Sequence, residues 1–197
     1  MHRLIRKPLV RVNNAVGRRL GYKLRKVPYS RPSTLRVKAM FAERPVRVLE
    51  IGCAAGNNAL DILTRLNVSR YVVVDPYEHA AATYDDYTRG RLALMRRQAT
   101  ARLRRHADRI EWVYQTSSEA VASLSGPFDY IYVDGVHTHE GVLRDMYDYY
   151  PLRADRFVFG GHDVDQPEVT RAFVEFVAAR SITNYEIKQP DWIIYGE

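Results

Sequence analysis

Short apolar runs alternate with longer amphipathic stretches from residue 46 to the end of the chain. The apolar runs predict five strands, near residues 46–51, 70–75, 110–114, 129–133 and 156–160. The stretches between them predict four helices, near residues 57–66, 86–106, 117–124 and 139–149. A helix near 168–180 and two short strands, 184–188 and 192–195, complete the pattern. This alternation indicates an α/β fold, with a doubly wound, mostly parallel sheet covered by helices on both faces.

The N-terminal part of the chain follows a different pattern. Apolar residues spaced by three or four predict a helix within residues 3–26, with bases around the apolar stripe. Ser33 is expected to cap a second helix over residues 34–43, and Pro45 is expected to end it. Two helices are therefore predicted before the first strand.

Charge also separates this N-terminal part from the rest. Residues 1–46 hold thirteen bases and one acid, a net charge of +12, whereas the remainder of the chain carries −5. The chain therefore divides into a basic helical extension, 1–44, and a domain, 45–197. Three roles stay open for the extension: contact with an anionic membrane surface, contact with nucleic-acid phosphates, or packing as a lid over the ligand site of the domain with its charge merely solvated. Packing is favoured for residues 33–44 and membrane or partner contact for residues 1–26, with nucleic acid the less favoured partner.

Composition limits the class of protein and the cellular compartment that we expect. A length of 197 residues, of which 46% are hydrophobic, is typical of one domain with a sizeable core. The single cysteine excludes an internal disulfide and a thiolate metal cluster, and it fits a reducing compartment. No apolar run approaches the roughly 20 residues of a membrane span, and the basic N-terminus lacks the apolar region of a secretory signal. We expect a cytoplasmic protein, with peripheral membrane attachment as the alternative, and a homo-oligomer stays open.

The most informative segment is residues 48–56, with the sequence VLEIGCAAG. An apolar strand, two glycines among small residues and the start of a helix form a tight turn, whose free N–H groups suit an electron-rich ligand. The next predicted strand ends at Asp75, where an acid can hydrogen-bond ribose hydroxyls. Together these features predict a nucleoside cofactor.

The order Glu50-x-Gly52-x-x-x-Gly56 resembles the E-x-G-x-x-x-G motif of the seven-stranded methyltransferases that depend on S-adenosylmethionine (SAM). The resemblance covers about residues 40–197, and the terminal hairpin is similar to the antiparallel end of the Rossmann-like methyltransferase sheet. It implies a seven-stranded sheet and SAM as the cofactor. The residues that it implies in cofactor binding are Glu50, Gly52, Cys53, Ala54, Gly56, Asp75, Ser117 and Asp134.

Polar side chains also follow the third predicted strand, in the sequence QTSS over residues 115–118. Hydroxyl and amide groups at that strand end can bond the edge of an adenine ring. Ser117 or Ser118 can equally cap the following helix. Both roles stay open, and one does not exclude the other.

Two further motifs end the fourth and fifth predicted strands. They are D-G-V-H, from Asp134 to His137, and G-G-H-D, which ends in His162 and Asp163. Because parallel strands bring their carboxyl ends to one edge of a sheet, these four side chains can converge beside the cofactor. We call Asp134, His137, His162 and Asp163 the reaction edge. The pair of motifs is similar to the branch of the methyltransferases that contains small-molecule and sugar O-methyltransferases.

In related metal-dependent O-methyltransferases, acids at these two strand ends hold a divalent ion. The resemblance implies that Asp134, His162 and Asp163 are ligands of a metal such as Mg or Mn. His162 departs from the pattern, since several relatives have a second acid there, and imidazole suits Mn, Fe, Ni or Zn better than Mg. The alternative is structural: both acids cap turns, and His162 bonds a backbone carbonyl.

Methyl transfer requires a nucleophile aligned with the S–CH₃ bond and a group that removes its proton. His137 is the first candidate base, because an unperturbed imidazole has a pKa of about 6.5, and His139 is the second. Asp134 and His162 complete the predicted catalytic set. We expect a SAM-dependent O-methyltransferase that acts on a hydroxyl of a small molecule or glycan precursor. An RNA methyltransferase that uses the basic extension and a non-catalytic SAM-binding module are the alternatives.

Overall fold

A computed structural model of the chain describes residues 30–80 and 89–197. The helix predicted within residues 3–26, and the first residues of the helix predicted at 86–106, lie outside this part. The strands are β1 (Val46–Ile51), β2 (Val68–Val74), β3 (Ile110–Val113), β4 (Phe128–Val133), β5 (Arg153–Gly161), β6 (Tyr185–Lys188) and β7 (Asp191–Gly196). The helices are α1 (Pro32–Phe41), α2 (Asn57–Arg65), α3 (Arg89–Leu103), α4 (Ser117–Ala120), α5 (His139–Tyr149) and α6 (Pro167–Ala179).

All seven strands form one sheet in the order β3-β2-β1-β4-β5-β7-β6. The first five strands are parallel, and Leu49 of β1 pairs with Val72 of β2 and with Ile131 of β4. β7 runs antiparallel to both β5 and β6, and Phe159 pairs with Ile194. The predicted doubly wound, mostly parallel seven-stranded sheet with an antiparallel closing hairpin is confirmed.

Helices cover both faces of the sheet, and those of the described residues do not cover its carboxyl edge. Met146 of α5 and Phe173 of α6 belong to the core of one face, and Ile62 of α2 and Leu103 of α3 belong to the core of the other. Strand order reverses between β1 and β4, which is where open α/β sheets form a ligand crevice. Among the described residues, no helix is long and apolar enough to cross a membrane.

α1 packs on the domain, as favoured for residues 33–44, but it lies on one face of the sheet against β5 and β7 and not as a lid over the α5 side of the carboxyl edge. Val37 is fully buried and Phe41 nearly so, and both belong to the core that includes α2 and α3. Arg36 of α1 also pairs with Glu186 of β6 and lies 4.1 Å from the ring centre of Tyr195. α1, which belongs to the basic part of the chain, therefore contacts both of the last two strands.

Ser33 anchors α1 instead of capping it. The helix begins at Pro32, and Arg31 occupies the N-cap position. The hydroxyl of Ser33 is fully buried, donates to Asp191 Oδ2 at 2.5 Å and lies 2.8 Å from the hydroxyl of Tyr130. The predicted cap at Ser33 is therefore wrong, because a proline suits the first helical position and starts the helix before the serine.

α4 begins one residue before either predicted cap. Thr116 is its N-cap residue. The backbone N–H and the hydroxyl of Thr116 donate to Glu119 Oε2 at 3.0 Å and 2.7 Å. Capping by Ser117 or Ser118 is therefore wrong, since an N-cap serves the N–H groups of the residues that follow it and Ser117 is already helical. The hydroxyl of Ser117 is therefore not the cap of α4.

Candidate active site

The turn between β1 and α2, residues 52–56, lies at the centre of the carboxyl edge, and we call it the glycine turn. Gly52 and Gly56 have φ angles of 82° and 73°, in the left-handed region that favours glycine. A Cβ atom at Gly52 would lie 2.0 Å from the carbonyl oxygen of Asp134. At Gly56 it would lie 3.1 Å from the Cα of Ala99 in α3. Gly52 is thus required by the end of β4, whereas packing against α3 accounts for Gly56.

Asp75 closes the glycine turn onto β2. Its Oδ2 accepts hydrogen bonds from the N–H groups of Cys53 and Ala54, both at 2.9 Å, and its Oδ1 accepts one from Tyr77 at 2.9 Å. Burial raises the pKa of Asp75, and these backbone hydrogen bonds counteract that rise. A carboxylate has about four lone-pair positions, and these three hydrogen bonds from described residues use three of them. The N–H groups of Cys53 and Ala54 are therefore already bonded within the protein.

Glu50 lies on the buried side of the glycine turn and stabilises it. It is fully buried, and its oxygens accept hydrogen bonds from Asn58 Nδ2 at 2.8 Å and from the hydroxyl of Tyr71 at 3.0 Å. Burial is the main cause that raises the pKa of Glu50 to about 7. Glu50 therefore ties the start of α2 to β2, which positions the turn from the side opposite to solvent.

A cavity of about 270 Å³ lies between the strand ends and the first turns of α5. We call it the α5 cavity. Its walls come from the ends of β1 and β2, the segment after β3, the loop after β4, and α5 itself. Ser117, predicted to bind the cofactor, lines it together with Gly52 and Asp145. Tyr149 donates to the Ser117 carbonyl oxygen at 2.7 Å.

Asp145 is a buried acid in the lining of this cavity, and the sequence patterns did not predict it as a site residue. It is only 2% exposed and lies in α5 among the buried residues Val142, Met146 and Tyr149. Burial raises the pKa of Asp145 to about 6. The signal in the sequence was an acid inside the apolar stripe of a predicted helix.

The four side chains of the reaction edge meet at the ends of β4 and β5. His137 Nε2 lies 2.8 Å from Asp163 Oδ2 and 3.6 Å from Asp134 Oδ1. His162 Nδ1 lies 2.7 Å from Asp163 Oδ1 and 3.7 Å from Asp134 Oδ1. Hydrogen bonding to Asp134 and the charges of both carboxylates raise the pKa of His137. The predicted convergence of two imidazoles and two carboxylates is therefore present in the structure.

The backbone fixes this arrangement. The N–H of Asp134 donates to the Ile51 carbonyl at 2.7 Å, and the N–H of His162 donates to the Val133 carbonyl at 3.1 Å. Asp163 has a φ angle of 58°, a left-handed conformation that aspartate and asparagine tolerate better than most residues. The ends of β1, β4 and β5 are thus joined directly, and the side chains that follow them face a common space.

The donor atoms of Asp134, His162 and Asp163 lie within 4.8 Å of one another. Two carboxylates and one imidazole, each partly exposed, form a donor set that suits a divalent ion such as Mn²⁺. The residues therefore fit the metal that the resemblance implies.

His139, the second candidate base, lies elsewhere. It is the first residue of α5, and its Nε2 lies 2.9 Å from Glu175 Oε2 in α6. Because this pair joins two helices on the outer face, the structure does not support His139 as a base at the reaction edge.

Comparison with known proteins connects this geometry to a family. A methyltransferase domain family matches residues 49–164, from β1 to just beyond the reaction edge. The chain belongs to this methyltransferase family. The match covers the glycine turn, Asp75 and both motifs of the reaction edge. The predicted family is confirmed, and with it a methyltransferase that uses SAM. No sequence among the curated proteins matches this methyltransferase significantly.

Solved structures share the fold of the methyltransferase at low sequence identity. An O-methyltransferase from Bacillus cereus in complex with SAH superimposes with a TM-score of 0.61 at 17% identity, covering 98% of this chain and 91% of that one. The O-methyltransferase TomG from Streptomyces achromogenes, in complex with SAM, superimposes with a TM-score of 0.62 at 16% identity. The superposition covers 95% of this chain and 89% of that one. A methyltransferase from Geobacter sulfurreducens superimposes with a TM-score of 0.61 at 13% identity, covering 96% of this chain and 89% of that one.

Proposed function

We propose that this methyltransferase transfers a methyl group from SAM to a hydroxyl oxygen of a small molecule or glycan precursor. One observation carries the proposal: His137 Nε2 lies 2.8 Å from Asp163 Oδ2, so a base stands within an oxygen-rich cluster beside the glycine turn. An imidazole between carboxylates suits removal of a hydroxyl proton. Two solved structures with this fold are described as O-methyltransferases with SAM or SAH bound, which agrees with the proposal.

The cofactor would lie along the carboxyl edge, with its base toward β3 and its methyl group toward β5. Three inter-strand steps of about 4.8 Å separate β3 from β4, a span that suits a nucleoside joined to an amino acid. The residues proposed to face the cofactor are Gly52, Ala54, Asp75, Ser117 and Asp134. The residues proposed to hold them in place are Glu50, Cys53 and Gly56.

The reaction forms a bond between the acceptor oxygen and the methyl carbon and breaks the bond between that carbon and sulfur. The sulfonium leaves as a neutral thioether, and the acceptor proton moves to His137 Nδ1, because Nε2 carries the hydrogen that Asp163 Oδ2 accepts. Alignment of the two reactants contributes several kcal/mol, and proton acceptance contributes about 10²–10⁴-fold in rate. Asp134 and Asp163 stabilise the imidazolium that forms, because both carboxylates lie within 4 Å of His137.

A divalent ion would be held by Asp134, His162 and Asp163. When bound, such an ion supplies a positive charge that lowers the pKa of an acceptor hydroxyl. His137 is not needed as a ligand in this assignment, so its imidazole stays available for the proton.

The experiment measures cofactor binding first and methyl transfer second. Calorimetry with S-adenosylhomocysteine tests the cofactor site of the full chain. SAM labelled in the methyl group is then incubated with the protein, Mn²⁺ and each of three probes: catechol, quercetin and UDP-glucose. We expect label in a methyl ether of at least one probe, and we expect His137→Gln to lower the rate by about 10²-fold or more.

His139→Gln is the matched control, since it makes the same change two residues away on the outer face. We expect its rate to stay within about twofold of the wild-type rate. Equal losses in both variants would contradict the role of His137. Label that appears in added RNA and in none of the three probes would replace the proposal with the RNA methyltransferase.

A further inference from the structure

A second cavity lies at the amino edge of the sheet, opposite the reaction edge. It measures about 320 Å³ and lies at the first residues of β1, β4 and β5. We call it the amino-edge cavity. Arg47, the second residue of β1, lines it, whereas the glycine turn follows the last residue of that strand. The rise along the strand separates the two places by roughly 16 Å, so this cavity is not part of the candidate active site.

The walls of the amino-edge cavity are mainly basic. Four guanidinium groups and two carboxylates give its lining a net charge of +2: Arg44, Arg47, Arg153 and Arg156 against Asp129 and Asp155. Arg47 and Asp129 neutralise each other, because Nε and Nη2 of the arginine donate to the two carboxylate oxygens at 2.9 Å and 3.0 Å. The other three arginines form no ion pair with any described residue.

Two of these three arginines are held by aromatic rings and not by acids. The guanidinium carbon of Arg153 lies 3.8 Å from the ring centre of Tyr150, and its Nη1 donates to the Tyr150 carbonyl oxygen at 2.9 Å. The guanidinium carbon of Arg156 lies 5.4 Å from the ring centre of Phe41. Stacking on a ring orients the planar group without neutralising its charge. A ligand that binds here therefore meets two guanidinium groups that are already ordered.

Nearby acids do not balance this charge. Glu43 is the first acid of the chain, and it pairs with Lys38. Asp155 is exposed and forms no ion pair within the described part of the chain. Like charges around one small volume repel one another, and a bound anion would remove that repulsion.

We infer that the amino-edge cavity binds a phosphate group, carried by a small phosphate ester or by the headgroup of an anionic lipid. Arginine suits this ligand because the fork of its N–H groups matches two phosphate oxygens. Since Arg156 Nε is buried, the ligand meets the terminal nitrogens of this residue. Small-molecule pockets measure roughly 300–1,000 Å³, so a cavity of about 320 Å³ takes a single headgroup and not a folded partner. A dianion matches the net charge of +2.

The experiment uses one probe for each source of phosphate. Calorimetry of the full chain with inorganic pyrophosphate tests the free ligand. Co-sedimentation with phosphatidylcholine vesicles, with and without about one-third phosphatidylglycerol, tests the lipid. Both use about 0.15 M salt, which screens charges more than about 8 Å apart. We expect at least one probe to bind, and we expect Arg156→Gln to weaken that binding about fivefold or more.

Binding of pyrophosphate alone assigns a soluble ester, and binding of the anionic vesicles assigns the lipid. Arg97→Gln is the matched control, since it removes the same charge from an exposed position of α3. Its affinity for the probe should stay within about twofold of the wild-type affinity. The affinity of every variant for S-adenosylhomocysteine should also stay within about twofold, because the cofactor site lies at the opposite edge of the sheet.

Two further variants test the sign of the charge. Arg44 is exposed and no described residue pairs with it, so Arg44→Gln should fold normally and weaken binding about threefold or more. Asp155→Asn should strengthen binding about twofold or more, because it removes a carboxylate from the lining.

Binding of neither probe would overturn the inference. Equal losses in Arg156→Gln and Arg97→Gln would also overturn it, since a general attraction to a basic chain would produce them. If Arg156→Gln does not fold, the other two lining variants decide, and unchanged affinity in both overturns the inference. Single-stranded RNA that binds when neither probe does, and binds more weakly to Arg156→Gln, would replace the phosphate site with a nucleic-acid surface.

Discussion

Gly52 and Asp134 lie so close together that a Cβ atom at position 52 would be 2.0 Å from the Asp134 carbonyl oxygen. This contact joins the end of β1 to the end of β4. The glycine turn and the reaction edge are therefore in direct backbone contact.

Gly52→Ala should disrupt this contact. The new methyl group meets backbone atoms that cannot rotate away, and the φ angle of 82° is strained for alanine. We expect a loss of about 3 kcal/mol in the free energy of unfolding, and at least a 100-fold loss of S-adenosylhomocysteine affinity in whatever folds. Urea denaturation and calorimetry measure the two quantities.

Gly90→Ala serves as the control for that change. Within the described ranges, nothing lies within 4 Å of a Cβ atom at Gly90 in α3. The free energy of unfolding should stay the same or rise by about 0.5 kcal/mol, because alanine favours helix. Equal behaviour of the two variants would show that the close approach at Gly52 is not a constraint.

The buried Glu50 should make the protein more stable at mildly acidic pH. Its pKa is about 7 in the folded state, against an ordinary value of 4.5. Below pH 7 the folded state binds a proton that the unfolded state binds only near pH 4.5, so stability rises as the pH falls through this window. The gain from pH 9 to pH 5 should be up to about 3 kcal/mol larger in the wild type than in Glu50→Gln. Parallel pH profiles from urea denaturation would contradict this origin.

Asp191 should contribute strongly to the attachment of α1. It is fully buried and accepts hydrogen bonds from the N–H and hydroxyl of Ser33 and from the hydroxyl of Tyr132 at 3.1 Å. Asp191→Asn should cost about 2 kcal/mol of unfolding free energy, because an amide NH₂ would face donors. Asp155→Asn makes the same change at an exposed position and should cost less than about 0.5 kcal/mol. A smaller loss at Asp191 than at Asp155 would refute the assignment.

Binding of Mn²⁺ should depend on Asp163. Asp163→Asn removes a charged donor while keeping a residue type that tolerates the φ angle of 58°. Electron paramagnetic resonance of free Mn²⁺ should report at least a tenfold weaker affinity for this variant. The exposed Asp165→Asn should bind Mn²⁺ as the wild type does. Undiminished binding in Asp163→Asn would remove this residue from the ligand set.

Local sequence patterns were sufficient to predict the strands and helices and one group of site residues, the reaction edge. Each central strand is buried on both faces and reads as an apolar run, so β1, β2 and β4 were predictable within two residues. The reaction edge was also predictable, because its residues directly follow strands, and parallel strands end at the same side of a sheet.

Other features depended on contacts between distant parts of the chain. The hydroxyl of Ser33 was expected at a helix terminus, but it bonds Asp191, which lies 158 positions away. Sequence periodicity carries no information about such a partner. Asp145 was missed for the same reason, since an acid in an apolar stripe signals burial but not the cavity that it lines.

By itself, the sequence determined the order of strands and helices, the glycine turn and the acids and imidazoles that end the strands, because these follow from local periodicity and from backbone conformations that few residues tolerate. Only the tertiary structure decided that Asp75 holds the turn closed and that His137 lies beside Asp163 while His139 pairs with Glu175. It also decided that Asp145 is buried, with one oxygen that no described residue hydrogen-bonds. The physical reason is that a side chain's partners are set by how the helices pack on the sheet, a long-range property that no short stretch of sequence contains.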